Sequence, residues 1–186
     1  MITGETDQSS KFGSSIGLRN SGTSSISYDS TNKYYSVNIT KTDSESFVPI
    51  NSATGLDDVI IEFDGYLPSS PSLLGLCFYK ENSNWGRLGT KWDGTGSKFE
   101  YGGNTNGSYA ESNISGYTPP TTTWLHHKFT ITNDTIHRQV YNGSTLIYED
   151  TRTYTGFFTS TTKYGFTALW STVWKQYFKN IKIKPL

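Results

Sequence analysis

Three histidines, two carboxylates and a set of aromatic residues are the side chains whose types and spacing could do chemistry. His126, His127 and His137 all fall in "WLHHKFTITNDTIHRQVYNG", residues 124–143. Their closeness in sequence raises a metal site, and a shared zinc would need ring nitrogens about 2.0–2.1 Å from one ion. Glu62 and Asp64 in "IEFDGYL" are two residues apart. On one strand face that spacing separates the carboxylates by ~6–7 Å, compatible with a glycosidase pair. A third stretch, "ENSNWGRLGTKWDGTGSKFEYGGNTNGSY", interleaves Trp85, Trp92, Tyr101 and Tyr109 with Arg87, Asp93, Asn104 and glycines. Sugars bind by laying their C–H faces on aromatic rings while planar polar groups take their hydroxyls. Trp170 and Trp174 in "WSTVW" offer a second aromatic platform. Trp124, at the start of its segment, is assigned to packing. Cys77 lies in the apolar run "LLGLCFYK" and is read as a small buried hydrophobe, since no base or positive surround accompanies it.

The elements that must position these residues are strands. Apolar residues recur with period two and almost nowhere with the 3.6 period of a helix. "KYYSVNITK" puts Tyr35, Val37 and Ile39 on one face; "DDVIIEFDGY" puts Val59, Ile61 and Phe63 opposite Ile60, Glu62 and Asp64. From Trp124 onward, "WLHHKFTIT", "TIHRQVY" and "STLIYED" predict three antiparallel strands. They are joined by turns at Asn133-Asp134 and Asn142-Gly143, dipeptides that tolerate the positive φ of tight hairpins. The first turn pairs Ile131 with Ile136, Phe129 with Arg138 and His127 with Val140, which gathers Leu125, Phe129, Ile131, Ile136 and Val140 on one face. His126 and His137 then share the other face about four residues apart, roughly 13 Å at ~3.3 Å per residue, and His127 points away from both. The histidines are therefore expected on or beside a sheet and not around one ion. The final strand is expected to alternate Tyr177, Ile181 and Ile183 against Lys182 and Lys184.

Composition agrees with this and narrows function. Aromatics make up 15% of the 186 residues and charged residues 17%, a balance that suits pleated, half-buried surfaces and not a disordered chain. Sixteen basic and sixteen acidic residues cancel, which leaves no basic stripe for nucleic acid. One cysteine permits no internal disulfide. No apolar run suggests membrane insertion. Five N-x-S/T sequons, at Asn38, Asn106, Asn113, Asn133 and Asn142, lean toward a surface protein. The expected architecture is all-β: a two-sheet antiparallel β-sandwich, most economically a jelly roll. Residues 1–13 are expected as a linker or tail, and residues 14–186 as one domain.

Trp124 with its alternating strand, the "VYNGSTLIYED" hairpin and the closing "YFKNIKIKPL" resemble the second half of concanavalin A-like lectin/glucanase domains, LamG-like modules among them. The overall texture also resembles domains of adhesin-like surface proteins and of phage tail proteins. The resemblance implies a lectin-like, carbohydrate-binding sandwich. Glucanases of that superfamily carry E-x-D-x-x-E on one strand; here Glu62 and Asp64 match the first two positions and Leu67 stands in place of the third.

The leading expectation is a non-catalytic glycan-binding module of a larger extracellular, cell-surface or virion protein, mediating adhesion to polysaccharide or to a host or neighbouring cell. Its ligand-binding set is Trp85, Arg87, Trp92, Asp93, Tyr101, Asn104, Tyr109, Trp170 and Trp174. One alternative is a protein-binding or spacer domain of an adhesin or tail protein. Another is a glycan-cleaving hydrolase using Glu62 and Asp64. No cofactor is required, and the metal to test for is calcium near Asp93, where an Asp and backbone carbonyls could supply oxygen ligands.

Overall fold

A computed structural model describes residues 1–19, 22–39, 44–68, 72–81, 84–93, 96–105, 108–169 and 176–186, with the backbone alone at 105, 108, 109, 168 and 169. One turn of 3-10 helix (Ser9–Lys11) precedes four strands: β1 (Ile16–Arg19), β2 (Ser24–Asp29), β3 (Tyr34–Ile39) and β4 (Glu45–Thr54). A central group follows: β5 (Val59–Tyr66), β6 (Ser72–Tyr79), β7 (Trp85–Trp92), β8 (Ser97–Thr105) and β9 (Ser108–Ile114). Next come β10 (Trp124–Thr132), β11 (Thr135–Asn142) and β12 (Thr145–Thr153), and finally β13 (Lys163–Leu169) and β14 (Gln176–Pro185). They form two antiparallel sheets of seven strands, β1-β4-β13-β6-β7-β8-β9 and β12-β11-β10-β5-β14-β3-β2. The protein is a β-sandwich jelly roll.

Strand alternation explains the core. Val59, Ile61 and Phe63 of β5, Leu125, Phe129 and Ile131 of β10, and Ile136 and Val140 of β11 turn inward and are buried. Most of them meet Leu74, Leu76 and Phe78 of β6, Leu88 of β7 and Phe166 of β13 across the sandwich, while Leu125 and Val140 pack with Phe99 of β8 and Tyr148 of β12. The expected β10–β11 register holds: His127 lies opposite Val140, Phe129 opposite Arg138 and Ile131 opposite Ile136. Asn133 takes φ of 47° in that turn, a conformation asparagine tolerates better than most residues.

Three details depart from the expectations. Asn142 is the last residue of β11, opposite Thr145, so the next turn is Gly143-Ser144, with positive φ at Gly143 alone (59°). A one-residue register shift beyond Val140 accompanies it. In β14 the ladder to β5 shifts between Lys179 and Lys182, and Asn180 has φ of 55°. A bulge changes the phase of a strand: Phe178 and Ile181, three apart, are both buried, while Tyr177 faces outward and leaves the face expected for it. Residues 1–13, expected as a tail, pack on the sandwich. Ile2 exchanges backbone hydrogen bonds with Ile181 at 2.8 and 2.7 Å, Phe12 bridges to Ile50, and both side chains are buried.

One charged residue of β11 crosses the interior. Arg138 is fully buried and donates from Nη1 to the carbonyls of Gly89 (3.0 Å) and Glu100 (3.3 Å) in the opposite sheet. Its Nε and Nη2 hold Asp150 of β12 at 2.8 and 3.0 Å. The guanidinium also lies 5.4 Å from the Phe99 ring centroid and 5.0 Å from that of Tyr148. Burial pushes the Asp150 carboxyl up, but the hydrogen bonds from Arg138 and Arg152 hold it below its ordinary value. Removing one partner of a buried pair strands the other charge, at a cost of about 3–5 kcal/mol. Arg138→Ala is therefore expected to lower stability by that amount in urea titrations monitored by tryptophan fluorescence. A loss under about 1 kcal/mol would mean that the pair behaves as an exposed one and that this account of the interior is wrong.

Candidate functional site

The expected ligand-binding residues divide by strand parity. Trp85, Arg87 and Asn104 point to the outer face of the first sheet; Asn104 lies opposite both Trp85 and Tyr109. Trp92 and Tyr101 have the parity of core-facing Leu88 and turn the other way. Tyr101 is half-buried, with the Arg152 guanidinium 4.1 Å from its ring centroid. Asp93 is ion-paired with Lys98 at 2.9 Å. The Tyr109 side chain, Trp170 and Trp174 lie outside the described residues.

On that outer face Trp85 is 1% exposed and Arg87 0%, so neither offers a surface to a ligand. Trp85 clusters with Phe47 and Cys77. Arg87 reaches three carboxylates: Glu100 at 2.8 Å, Glu45 at 3.2 Å and Glu111 at 3.2 Å. It can do so because its guanidinium lies across Gly102, where a Cβ would stand 2.9 Å from its carbon. Burial pulls the Arg87 pKa down, and Glu100, Glu45 and Glu111 more than restore it, so the group stays charged. Burial pushes the Cys77 thiol far up, which removes thiolate chemistry at neutral pH. The loops that carry these residues looked suited to sugar, but the pairing of Arg87 makes its network part of the packing.

The outer face of the second sheet carries what the sequence reading missed. Tyr66 of β5 lies opposite Trp124 of β10 on one side and Tyr177 of β14 on the other; Tyr34 joins from β3. Their contacts close into a circuit, with ring centroids 5.4 Å apart for Tyr66–Trp124, 6.1 Å for Tyr66–Tyr177, 4.8 Å for Tyr34–Tyr177 and 6.1 Å for Tyr34–Trp124. All four are half-buried and, with Asn32 and Pro68, line a depression of about 370 Å³. Burial, then Asp29, pushes the Tyr34 hydroxyl up, and burial, then Tyr66 and Asp29, does the same at Tyr177. Both therefore keep their protons and can donate. The neighbouring row holds Asp64, whose oxygens meet His126 Nδ1 at 2.9 Å and Asn180 Nδ2 at 2.7 Å. The Lys179 ammonium lies 4.2 Å from the Trp124 ring centroid. The β14 bulge makes this possible, since it leaves Tyr177 outward and brings Asn180 to Asp64.

No protein-family model and no curated protein matches the chain in sequence. Solved structures do match in shape. The carbohydrate-binding module CBM66 from Bacillus subtilis aligns with TM-score 0.57 at 17% identity, covering 92% of this chain and 95% of that one. The alginate lyase from Klebsiella pneumoniae gives 0.58 at 9% identity, covering 100% and 99%. The Ca2+/Man-bound VIP36 exoplasmic/lumenal domain gives 0.63 at 7% identity, covering 95% and 83%. The fold is the concanavalin A-like sandwich. Binders and a lyase share this shape, so chemistry must be argued from the side chains.

In this concanavalin A-like sandwich Glu62 and Asp64 do share the outer face of β5, as expected. Glu62 lies between Lys128 and Lys182 in the register. Burial pushes the Asp64 carboxyl up, but the His126 and Asn180 hydrogen bonds and the nearby positive charges bring it below its ordinary value. It is held ionised, the reverse of what a general acid needs, and Leu67 is fully buried. At Asp93, Lys98 holds the carboxylate; among the described residues no three His, Cys, Asp or Glu converge on a metal position, and residues 94 and 95 of that loop lie outside the described residues.

The histidines separate as their parity requires. His126 bonds Asp64, His137 Nε2 lies 3.4 Å from Glu149, and His127 is 1% exposed, stacked on Phe63 at 5.0 Å. Burial, and then Arg138, lowers the His127 pKa from 6.5 to about 3. Between those values the unfolded chain binds a proton that the folded chain refuses, so this group's contribution to stability is whole above pH 6.5 and falls as pH drops. Each pH unit lost in that window costs up to about 1.4 kcal/mol. His127→Phe should flatten the decline in urea midpoint between pH 7.5 and pH 4.5; an unchanged slope would show that His127 is not its source.

Proposed function

We propose that this chain is a non-catalytic glycan-binding module. A saccharide lies across Tyr34, Tyr66, Trp124 and Tyr177, with its hydroxyls taken by the tyrosine hydroxyls, Asn32 and the Asp64–Asn180 pair. The observation that carries this reading is the four-ring circuit around a surface depression, with hydrogen-bonding groups in the adjoining row. Carbon-bound hydrogens of a sugar ring suit the negative faces of aromatic rings. Rings already packed against one another lose little freedom on binding, which preserves affinity. Neighbours of the same shape include a carbohydrate-binding module and a Man-bound lumenal domain, in keeping with this class of ligand.

The finer expectations extend the proposal. The module belongs to a larger protein outside the cell, at a cell or virion surface, and its partner is a polysaccharide and not nucleic acid or lipid. Among the described residues no helix is long and apolar enough to cross a membrane. The original set survives in the proposal only in part. Asn104 is half-buried beside Leu18 and Arg19, and its amide oxygen is enclosed, with no hydrogen-bond partner among the described residues.

A glycan microarray followed by calorimetry on the best saccharide tests the site. Trp124→Ala is expected to weaken binding at least about tenfold, the equivalent of 1.4 kcal/mol, and Tyr177→Ala by a smaller factor, with both variants retaining the parent's far-ultraviolet spectrum. Binding of undiminished strength in both would remove the ligand from this face.

A further inference from the structure

The charges around the four rings are unevenly used. Asp64 accepts from His126 and Asn180. Asp29, beside Tyr34, is occupied by its own turn, accepting from the backbone of Thr31 and Asn32 and from Asn32 Nδ2, each at 2.9 Å. These bonds, with Tyr34, hold the Asp29 carboxyl low although burial acts the other way. Both carboxylates near the depression thus already accept internal hydrogen bonds, though each keeps its charge and further acceptor sites, and Asp64 also feels the charge of Lys179. Lys179 is different: its ammonium rests on the Trp124 ring, and among the described residues it has neither an ion-pair nor a hydrogen-bond partner. A lysine ammonium has three donors to satisfy.

Lys179 is also placed by the fold. It stands opposite Asp64 in the ladder, one residue before the bulge and two after Tyr177. The outward turn of Tyr177 and Asn180 keeps it half-buried between polar and aromatic neighbours. Its stem covers apolar ring surface while its charge stays at the rim, as long basic side chains do at such borders. A ligand laid on the rings would bring its own substituents to that charge while displacing water from around it, which strengthens the attraction.

We infer that the glycan bound here is acidic: its ring stacks on the Tyr34–Tyr66–Trp124–Tyr177 circuit and a carboxylate or sulfate on that ring pairs with Lys179. This rests on the proposed glycan site and names its ligand class. A compact, hydrated ammonium pairs as a point charge, so either anion fits, and selection among acidic sugars falls to the rings and to Asn32.

The test compares matched probes by calorimetry in low salt: oligogalacturonate against its methyl ester, and a sulfated galactan fragment against neutral agaro-oligosaccharide. The acidic member of at least one pair should bind about tenfold or more tightly. That preference should shrink between 20 mM and 300 mM salt as the charge is screened. Which pair shows it identifies carboxylate or sulfate as the group recognised. Lys179→Gln should bring the two members of the responding pair within about twofold of each other, and Lys179→Arg should restore the gap. Equal affinity of acidic and neutral forms for the unaltered protein would overturn this inference and leave the glycan reading standing. A preference that persists in Lys179→Gln would overturn the role of Lys179. If neither member of any pair binds while the array finds no other saccharide, the glycan reading and the acidic class fail together.

Discussion

A single guanidinium in the middle of the sandwich ties its parts together. Arg138 rises from β11, is fixed by Asp150 of β12, and ends on the carbonyls of Gly89 and Glu100 in the facing sheet. The Glu100 side chain points the other way and holds Arg87, which in turn gathers Glu45 and Glu111. A line of polar contacts therefore runs through the thickness of the domain, from the second sheet to the outer face of the first. Apolar packing tolerates sliding by a fraction of a residue; a forked donor with five fixed N–H directions does not. Buried ion pairs add little net stability over a hydrophobic equivalent. Their consequence here is alignment, since the bonds that Arg138 sends across to the Gly89 and Glu100 carbonyls form in only one register of the two sheets.

That alignment frees the outer face of the second sheet for other work. Inward positions of β5, β10 and β14 are filled by Phe63, Phe129 and Phe178, all buried, and the residues between them are available to form a surface. The result is two neighbouring rows: one aromatic, through Trp124, Tyr66 and Tyr177, and one polar, through His126, Asp64 and Lys179. A saccharide presents the same division, with apolar ring faces and polar edges.

Much of the architecture was legible in the sequence because period-two alternation has a direct physical cause. Tyr35, Val37 and Ile39, the β5 face and the β10–β11 register all followed from it, as did the separation of the three histidines. The site was less legible, for two reasons. Tyr34, Tyr66 and Trp124 lie on strands distant in the chain, and no local pattern states that β3, β14, β5 and β10 are neighbours. Trp85 and Arg87 sat in a stretch whose composition suits sugar, but composition does not tell that the outer face of β7 is covered and that Arg87 is paired three times. Tyr66 shares the outward parity of Glu62 and Asp64, and Trp124 that of His126, but parity alone did not single out Tyr66, and Trp124 was assigned to packing. Tyr177 was misplaced because the strand was read as unbroken.

The bulge at Asn180 is required by the outer face and not by the core. In "YFKNIKI" the inward residues Phe178 and Ile181 are three apart, so the strand carries a phase slip written into its spelling. Removing one residue between them would restore plain alternation with both still inward, but it would abolish the step that brings Asn180 to Asp64. A search for strict alternation would pass over that three-residue step.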